Sequence, residues 1–173
     1  MTLTPLTKKF ILHWGEMGTK WGINRTVAQV HALLFISPKP LQAEEIVATL
    51  SVARSNVSTS LKELQNWGLI KVVHVLGDRR DHFDTHKDVW ALFQIVMQER
   101  KRREVDPTVA LLRDAVSETK TEGKDDEYAR EQLAKMLEFF ESATECYEDV
   151  GKLSPATLRK LMKMGGKVGA FLR

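Results

Sequence analysis

"SVARSNVSTSLKELQNWGLIK", residues 51–71, combines two periods that belong to one helix. Val57, Leu61 and Leu64 stand at i, i+4 and i+7, which predicts a helix over about 54–67 with those three side chains buried. Ser55, Thr59, Lys62 and Asn66 fall on the opposite face, with Asn56, Ser58 and Glu63 at its margins. Serine, threonine and asparagine are weak helix formers because their side chains compete with the backbone for hydrogen bonds. Their concentration on the outward side therefore points to a partner outside the helix. Short polar side chains let a helix lie close to base edges in a major groove, where each base pair offers a distinct set of donors and acceptors. Arg54, at the first turn, and Lys62 would add attraction to phosphate.

The neighbouring segments fit that reading. "QAEEIVATL" predicts a short helix with Ala43, Ile46, Val47 and Leu50 inward, and three residues separate it from the next helix. Two helices around so short a turn make a helix-turn-helix. Downstream the period changes to that of strands: "LIKVVHV", a polar "LGDRRD" turn, and an alternating "HFDTH" predict a β-hairpin over about 71–86. Such a hairpin would form a wing, with Arg79 and Arg80 at its tip, suited to a minor groove or flanking phosphates.

Upstream, "TPLTKKFILHWGEMG" reads as a helix from Thr4-Pro5 to about Gly18, with Phe10, Trp14 and Met17 on one stripe. Asn24 can cap "RTVAQVHALLFI", which "SPKP" then ends. From Asp88 the helical period returns, with Val89, Leu92, Phe93, Val96 and Met97 on a stripe that runs into "ERKRRE". "DP" at 106–107 predicts a kink or restart through Ala110, Leu111 and Ala115, and "TEGKDD" a loop. A long helix from about Asp125 to Val150 carries Leu133, Met136, Leu137 and Phe140 on one face, a stripe that a partner helix would bury. Ser154-Pro155 caps a last helix weakened by "MGGKVG".

The segments "NRTVAQVHALLFISPKPL", "EEIVATL", "SNVSTSLKELQNWGLI" and "GDRRDHF", within residues 22–83, resemble the winged helix-turn-helix of the GbsR family of MarR-like bacterial transcriptional regulators. The resemblance implies a cytoplasmic homodimer that binds double-stranded operator DNA. It carries recognition to Arg54, Ser55, Asn56, Ser58, Thr59 and Lys62, and wing contacts to Arg79 and Arg80. It also leaves room for a small-molecule effector, since the family includes sensors of choline-like osmolytes; each of the four tryptophans is nevertheless expected to be a core or interface anchor. The family commonly has glycine where this chain has Ser51, and serine where it has Ala53. Ser51 is therefore expected in a left-handed conformation, and Ala53 brings no capping oxygen, a task left to Ser55 or a shifted helix start.

The charge distribution agrees with a polyanion partner for the front of the chain. Residues 1–103 hold 15 lysines and arginines against 9 carboxylates, residues 104–150 hold 5 against 14, and residues 151–173 hold 6 against none. No apolar run approaches the ~18 residues of a membrane helix, so no membrane partner is expected. The single Cys146 excludes a disulfide framework within one chain and suits a reducing cytosol. His82, Asp84 and His86 share one strand face, but the outer pair would lie ~13 Å apart, too far for one ion, so no metal is expected and a hydrated wing strand is. No nucleophile elbow or HExxH occurs, and "GGKVG" lacks the strand and spacing of a phosphate loop. An enzyme is not expected, nor a cofactor.

The expectation is thus a mainly α fold, a winged helix-turn-helix with flanking dimerisation helices. Residues 1–20 would be an N-terminal dimerisation helix, 21–87 the DNA-binding domain, and 88–173 a helical dimerisation and effector region, with Leu133, Met136, Leu137 and Phe140 at the dimer contact. The protein would be a DNA-binding regulator, and a repressor, acting on an inverted repeat. The alternative is a winged-helix adaptor whose basic face meets an acidic protein.

Overall fold

Local capping chemistry sets where the first helices begin. In a computed structural model, which describes residues 2–118 and 124–171, the Thr4 hydroxyl accepts from the Thr7 amide at 3.3 Å and Pro5 occupies the first turn of α1, Pro5–Lys20. The Asn24 side chain accepts from the Thr26 amide at 2.8 Å and opens α2, Arg25–Ile36. Two residues of strand, β1 (Leu41–Gln42), lead into α3, Ala43–Leu50, where Glu45 accepts from the Gln42 amide at 3.0 Å in a capping box. Then follow α4 (Arg54–Asn66), β2 (Ile70–Val75) and β3 (Asp78–Thr85).

The chain divides into two compact units, Met1–Val96 and Met97–Arg173. In the first, α2 is the central element, packed against α1, α3, α4 and β3. Val30, Leu33 and Leu34 of α2 are fully buried with Leu41, Ile46 and Val57. Burying side chains of this size contributes on the order of 1.5 to 3 kcal/mol each. The strands form an antiparallel sheet in the order β1-β3-β2, with Leu41 and Val72 both opposite Phe83. The hairpin is therefore three-stranded at its base. A strand of two residues has no period to read, and only its pairing partner reveals it.

On α1 the residues fully buried are Ile11, Gly15 and Gly18, while Phe10, Trp14 and Met17 are only partly covered. The glycines let α1 and α2 approach closely: a Cβ on Gly18 would meet the Ala28 Cβ at 2.5 Å. Trp14 sits between Phe10 and Trp21, with ring centroids 5.5 and 5.7 Å away.

The helix after the wing, α5 (Val89–Arg100), turns a different face inward from the expected stripe. Leu92, Ile95 and Val96 pack on the winged-helix core, whereas Val89 and Phe93 are exposed. Its first two turns complete the first unit, beyond the expected boundary at residue 87.

In the second unit the backbone widens into one π-helical segment, Lys101–Val105, before α6, Asp106–Ser117. Pro107 explains both the widening and the restart: it has no N–H to donate backward, and its ring crowds the carbonyl four residues earlier. On α6 Val109 and Leu112 are buried, and Leu111 faces out. α7 (Lys124–Gly151) packs along α6, tied to it by Arg113 on Glu141 at 2.8 Å and by Arg130 donating to the Val116 carbonyl at 2.7 Å. Lys101 pairs with Asp106 at 2.8 Å and Glu148 at 3.4 Å. The expected loop at 121–126 falls at 121–123 outside the described residues. The final helix, α8 (Pro155–Phe171), runs through residues 164–169. No described helix is long and apolar enough to cross a membrane.

Candidate nucleic-acid interface

The turn between α3 and α4 is made by Ser51 in the left-handed region, φ 53°, with its amide bonded to the Val47 carbonyl at 2.9 Å. A non-glycine residue bears some strain there, as the sequence led us to expect. Ala53 is the extended residue before α4, and its side chain makes no capping bond. At the far end Gly68, φ 68°, closes the helix, with Leu69 donating to the Leu64 carbonyl at 3.0 Å.

Between those ends α4 buries Val57, Ser60, Leu61 and Leu64. Arg54, Ser55, Asn56, Ser58, Thr59 and Lys62 are all exposed on the other side. The helix thus presents a row of short hydrogen-bonding side chains bounded by two cations. Arg54 is not idle: its guanidinium lies 2.9 Å from the Glu44 carboxylate in the first turn of α3. That partner is ten residues away and was not legible from the α4 wheel.

The wing departs from expectation at its tip. Its turn is only Leu76-Gly77, with Gly77 at φ 84°, and Val75 pairs directly with Asp78. The polar run therefore continues as strand, and Arg79 and Arg80 stand on β3 beside the tip rather than in the loop. Strand alternation puts Asp78, Arg80 and His82 on one face and Arg79 and Asp81 on the other. Arg79 is exposed and has no ion-pair partner among the described residues.

Arg80, in contrast, is clamped. Its Nε and Nη2 donate to the two Asp78 carboxylate oxygens at 2.8 and 2.6 Å, and its backbone amide donates to Asp78 at 3.0 Å. Those Arg80 bonds, side chain first and backbone second, hold the Asp78 carboxyl well below the usual carboxylate range and push the guanidinium pKa up. A planar guanidinium held at two points has its direction set before any ligand arrives. Gln42 extends the cluster, donating from Nε2 to Asp78 at 3.0 Å, with the His82 Nε2 2.9 Å away. The His82 Nδ1 lies 3.0 Å from the Arg80 carbonyl. Donation there leaves Nε2 free to accept from Gln42.

His82 is accordingly buried, at 7% exposure, and does not belong to a hydrated strand. It lies between Gln42 of β1, a pairing invisible in the sequence, and Val73 of β2. Asp84 pairs with Lys87 at 3.1 Å, and His86 is exposed. Among the described residues no three histidine, cysteine or acidic side chains gather as a metal site.

The wing is anchored to the helices at its base. The Thr85 hydroxyl donates to the Leu69 carbonyl at 2.6 Å and lies 3.2 Å from the His31 Nε2 on α2. Burial, and then the Lys87 charge, lower the His31 pKa to about 4, so its ring is neutral near neutral pH. Lys87 itself donates to the Leu34 and Ser37 carbonyls at 2.6 and 3.0 Å, closing the C-terminal end of α2.

In the second unit Leu133, Leu137 and Phe140 are half-buried on α7, and Met136 is 49% exposed. The most exposed apolar side chains of this helix are Tyr128 and Phe139, which lie off the expected stripe.

Residues 21–81 match the MarR family. Among solved structures, the chain is similar to a transcriptional regulator at 20% identity and a TM-score of 0.57, covering 84% of this chain and 99% of that one. A mutant of the S. aureus regulator MepR bound to an oligodeoxyribonucleotide is 17% identical, with a TM-score of 0.40 over 77% of this chain and 91% of that one. A MarR family transcription regulator is 20% identical, with a TM-score of 0.40 over 82% and 87%. No curated protein matches the chain. The first likeness agrees with the winged-helix fold described above.

Proposed function

We propose that this chain, whose residues 21–81 are a MarR-type winged helix-turn-helix, is a DNA-binding transcriptional regulator of the GbsR branch. It reads operator DNA with α4 and steadies the duplex with the wing. The observation that carries the proposal is the exposed row Ser55, Asn56, Ser58, Thr59 and Lys62 on a helix whose other face is fully buried. Asn56 suits adenine, the hydroxyls suit several base edges, and Arg54, Arg79 and Arg80 suit phosphates and the minor groove.

The protein acts as a homodimer, in the cytoplasm where bacterial DNA lies, without catalysing a reaction. Exposed Leu6 and Leu12 on α1, and the α7 side chains Met136 and Phe139, support a helical interface outside the reading head. The stripe Leu133, Met136, Leu137 and Phe140 belongs to that contact in our reading, with residues 1–20 and 88–173 as the dimerising parts around a domain at 21–87. Occupied by a dimer, an operator blocks polymerase, so repression is the expected output, with a small-molecule effector as its control.

Selection of bound sequences from a random duplex pool tests this. An inverted repeat with half-site centres about one helical turn apart is expected. Retention of all sequences alike would refute the regulator, and a monomer in sedimentation at micromolar concentration, with and without DNA, would refute the dimer.

A further inference from the structure

Glu44 complements the positive end of α3 but makes no capping bond. Its neighbour Glu45 makes the capping bond to Gln42 and pairs with Lys39, whereas Glu44 is exposed at the first turn of α3. Yet Glu44 lies against the DNA-reading surface. Its Oε1 is 2.9 Å from the Arg54 Nη2, both side chains more than half exposed, and its charge also acts on Arg80 across the wing. The carboxylate thus stands 2.9 Å from the cation of the recognition helix, where it repels any phosphate that approaches Arg54.

We propose that Glu44 is a specificity-setting residue, one that acts by positioning Arg54. The inference rests on the DNA-binding reading given above. Non-specific binding draws essentially all its affinity from phosphate contacts, so a carboxylate in this place subtracts directly from it. An exposed ion pair is weak and readily exchanged, so the pair does not bar Arg54 from a better partner. While the pair stands, it directs the guanidinium toward α3 and limits the rotamer freedom that the operator complex must remove. Repulsion weakens the loose complex, and prior orientation compensates the tight one.

The test is Glu44→Gln, measured in the full-length protein against the duplex that the wild type selects and against a scrambled duplex of equal length, at several salt concentrations. Affinity for the scrambled duplex should rise roughly two- to fivefold, as expected for the loss of an exposed pair. Its logarithmic salt slope should steepen by about 0.9, one phosphate's worth. Operator affinity should move less, so the ratio of the two falls. In an Arg54→Ala background the same change should leave the ratio where it was. Equal gains on both duplexes, an unchanged ratio, or an equal effect without Arg54 would overturn the role of Glu44 while leaving the regulator intact. Should the wild type select no sequence at all, the regulator and this inference fall together.

Discussion

Gly18→Ala offers a stringent test of the α1–α2 contact. An added Cβ would stand 2.5 Å from the Ala28 Cβ, whereas carbon atoms in contact prefer about 3.5–4.0 Å. The Ala28 Cβ is fixed to the α2 backbone and has no torsion through which to retreat. The helices must therefore separate locally by about 1 Å. That movement loosens the cover over Ile11, which is 2% exposed, and over the partly buried Phe10 and Trp14. Overpacking of this kind costs about 1–3 kcal/mol. Alanine in place of glycine inside a helix returns about 1 kcal/mol. A net loss of up to about 2 kcal/mol should result, against the gain of about 1 kcal/mol that an open helix position would show. Gly15→Ala is the comparison: its Cβ meets the Gln29 Cγ at 2.7 Å and the Arg25 Cγ at 3.2 Å, side chains that can adjust by rotation about χ1, so the smaller overpacking should be largely offset by the same propensity gain and the net effect should stay within about 0.5 kcal/mol. Urea unfolding followed by tryptophan fluorescence measures both, since Trp14 and Trp21 report on α1. Adding Ala28→Gly to Gly18→Ala should recover part of the loss beyond simple additivity. A Gly18→Ala protein more stable than wild type by the propensity gain alone would refute the close approach.

Four further outcomes are expected. Asn56→Ala should relax preference at one base position of the selected motif and cost roughly 1 to 3 kcal/mol of operator affinity; an unchanged motif would remove Asn56 from the reading face. Arg79→Ala should weaken all duplexes nearly evenly and flatten the salt slope by about 0.9, which titrations at several salt concentrations would detect. Leu137→Asp should leave a helical protein that sediments as a monomer and loses operator affinity steeply, because two half-sites are no longer linked; a folded dimer with unchanged affinity would contradict the α7 interface. Because His31 has a folded pKa of about 4 against 6.5 when exposed, the unfolded chain takes up its proton first as pH falls. Stability from this group is therefore complete above pH 6.5 and declines toward pH 4, by up to about 3 kcal/mol, and His31→Gln should flatten that part of a denaturation–pH profile.

What could be read from the chain alone are features whose causes lie within one or two turns of the residue concerned. Asn24 as a cap and the buried side Val57, Leu61 and Leu64 follow from neighbours within about a turn, while the left-handed Ser51 was implied by the family resemblance. The outward row from Ser55 to Lys62 was legible for the same reason, since the wheel of α4 is a property of α4. Tertiary structure decided the rest. β1 exists because Leu41 lies opposite Phe83, and that pairing helps to bury His82, which its own strand would have left wet. The inward face of α5 is chosen by the core it meets, so Ile95 replaced Val89 and Phe93. Most of all, two cations of the candidate interface found partners that the wheel of α4 and the expected wing turn did not show. Arg54 finds Glu44 across the helix-turn-helix, and Asp78 fastens Arg80 only because a two-residue turn lets the strand begin at that aspartate. Short-range periodicity determines which side of an element faces water, whereas a pair such as Arg54 with Glu44 depends on how separate elements meet, a relation that no local pattern carries.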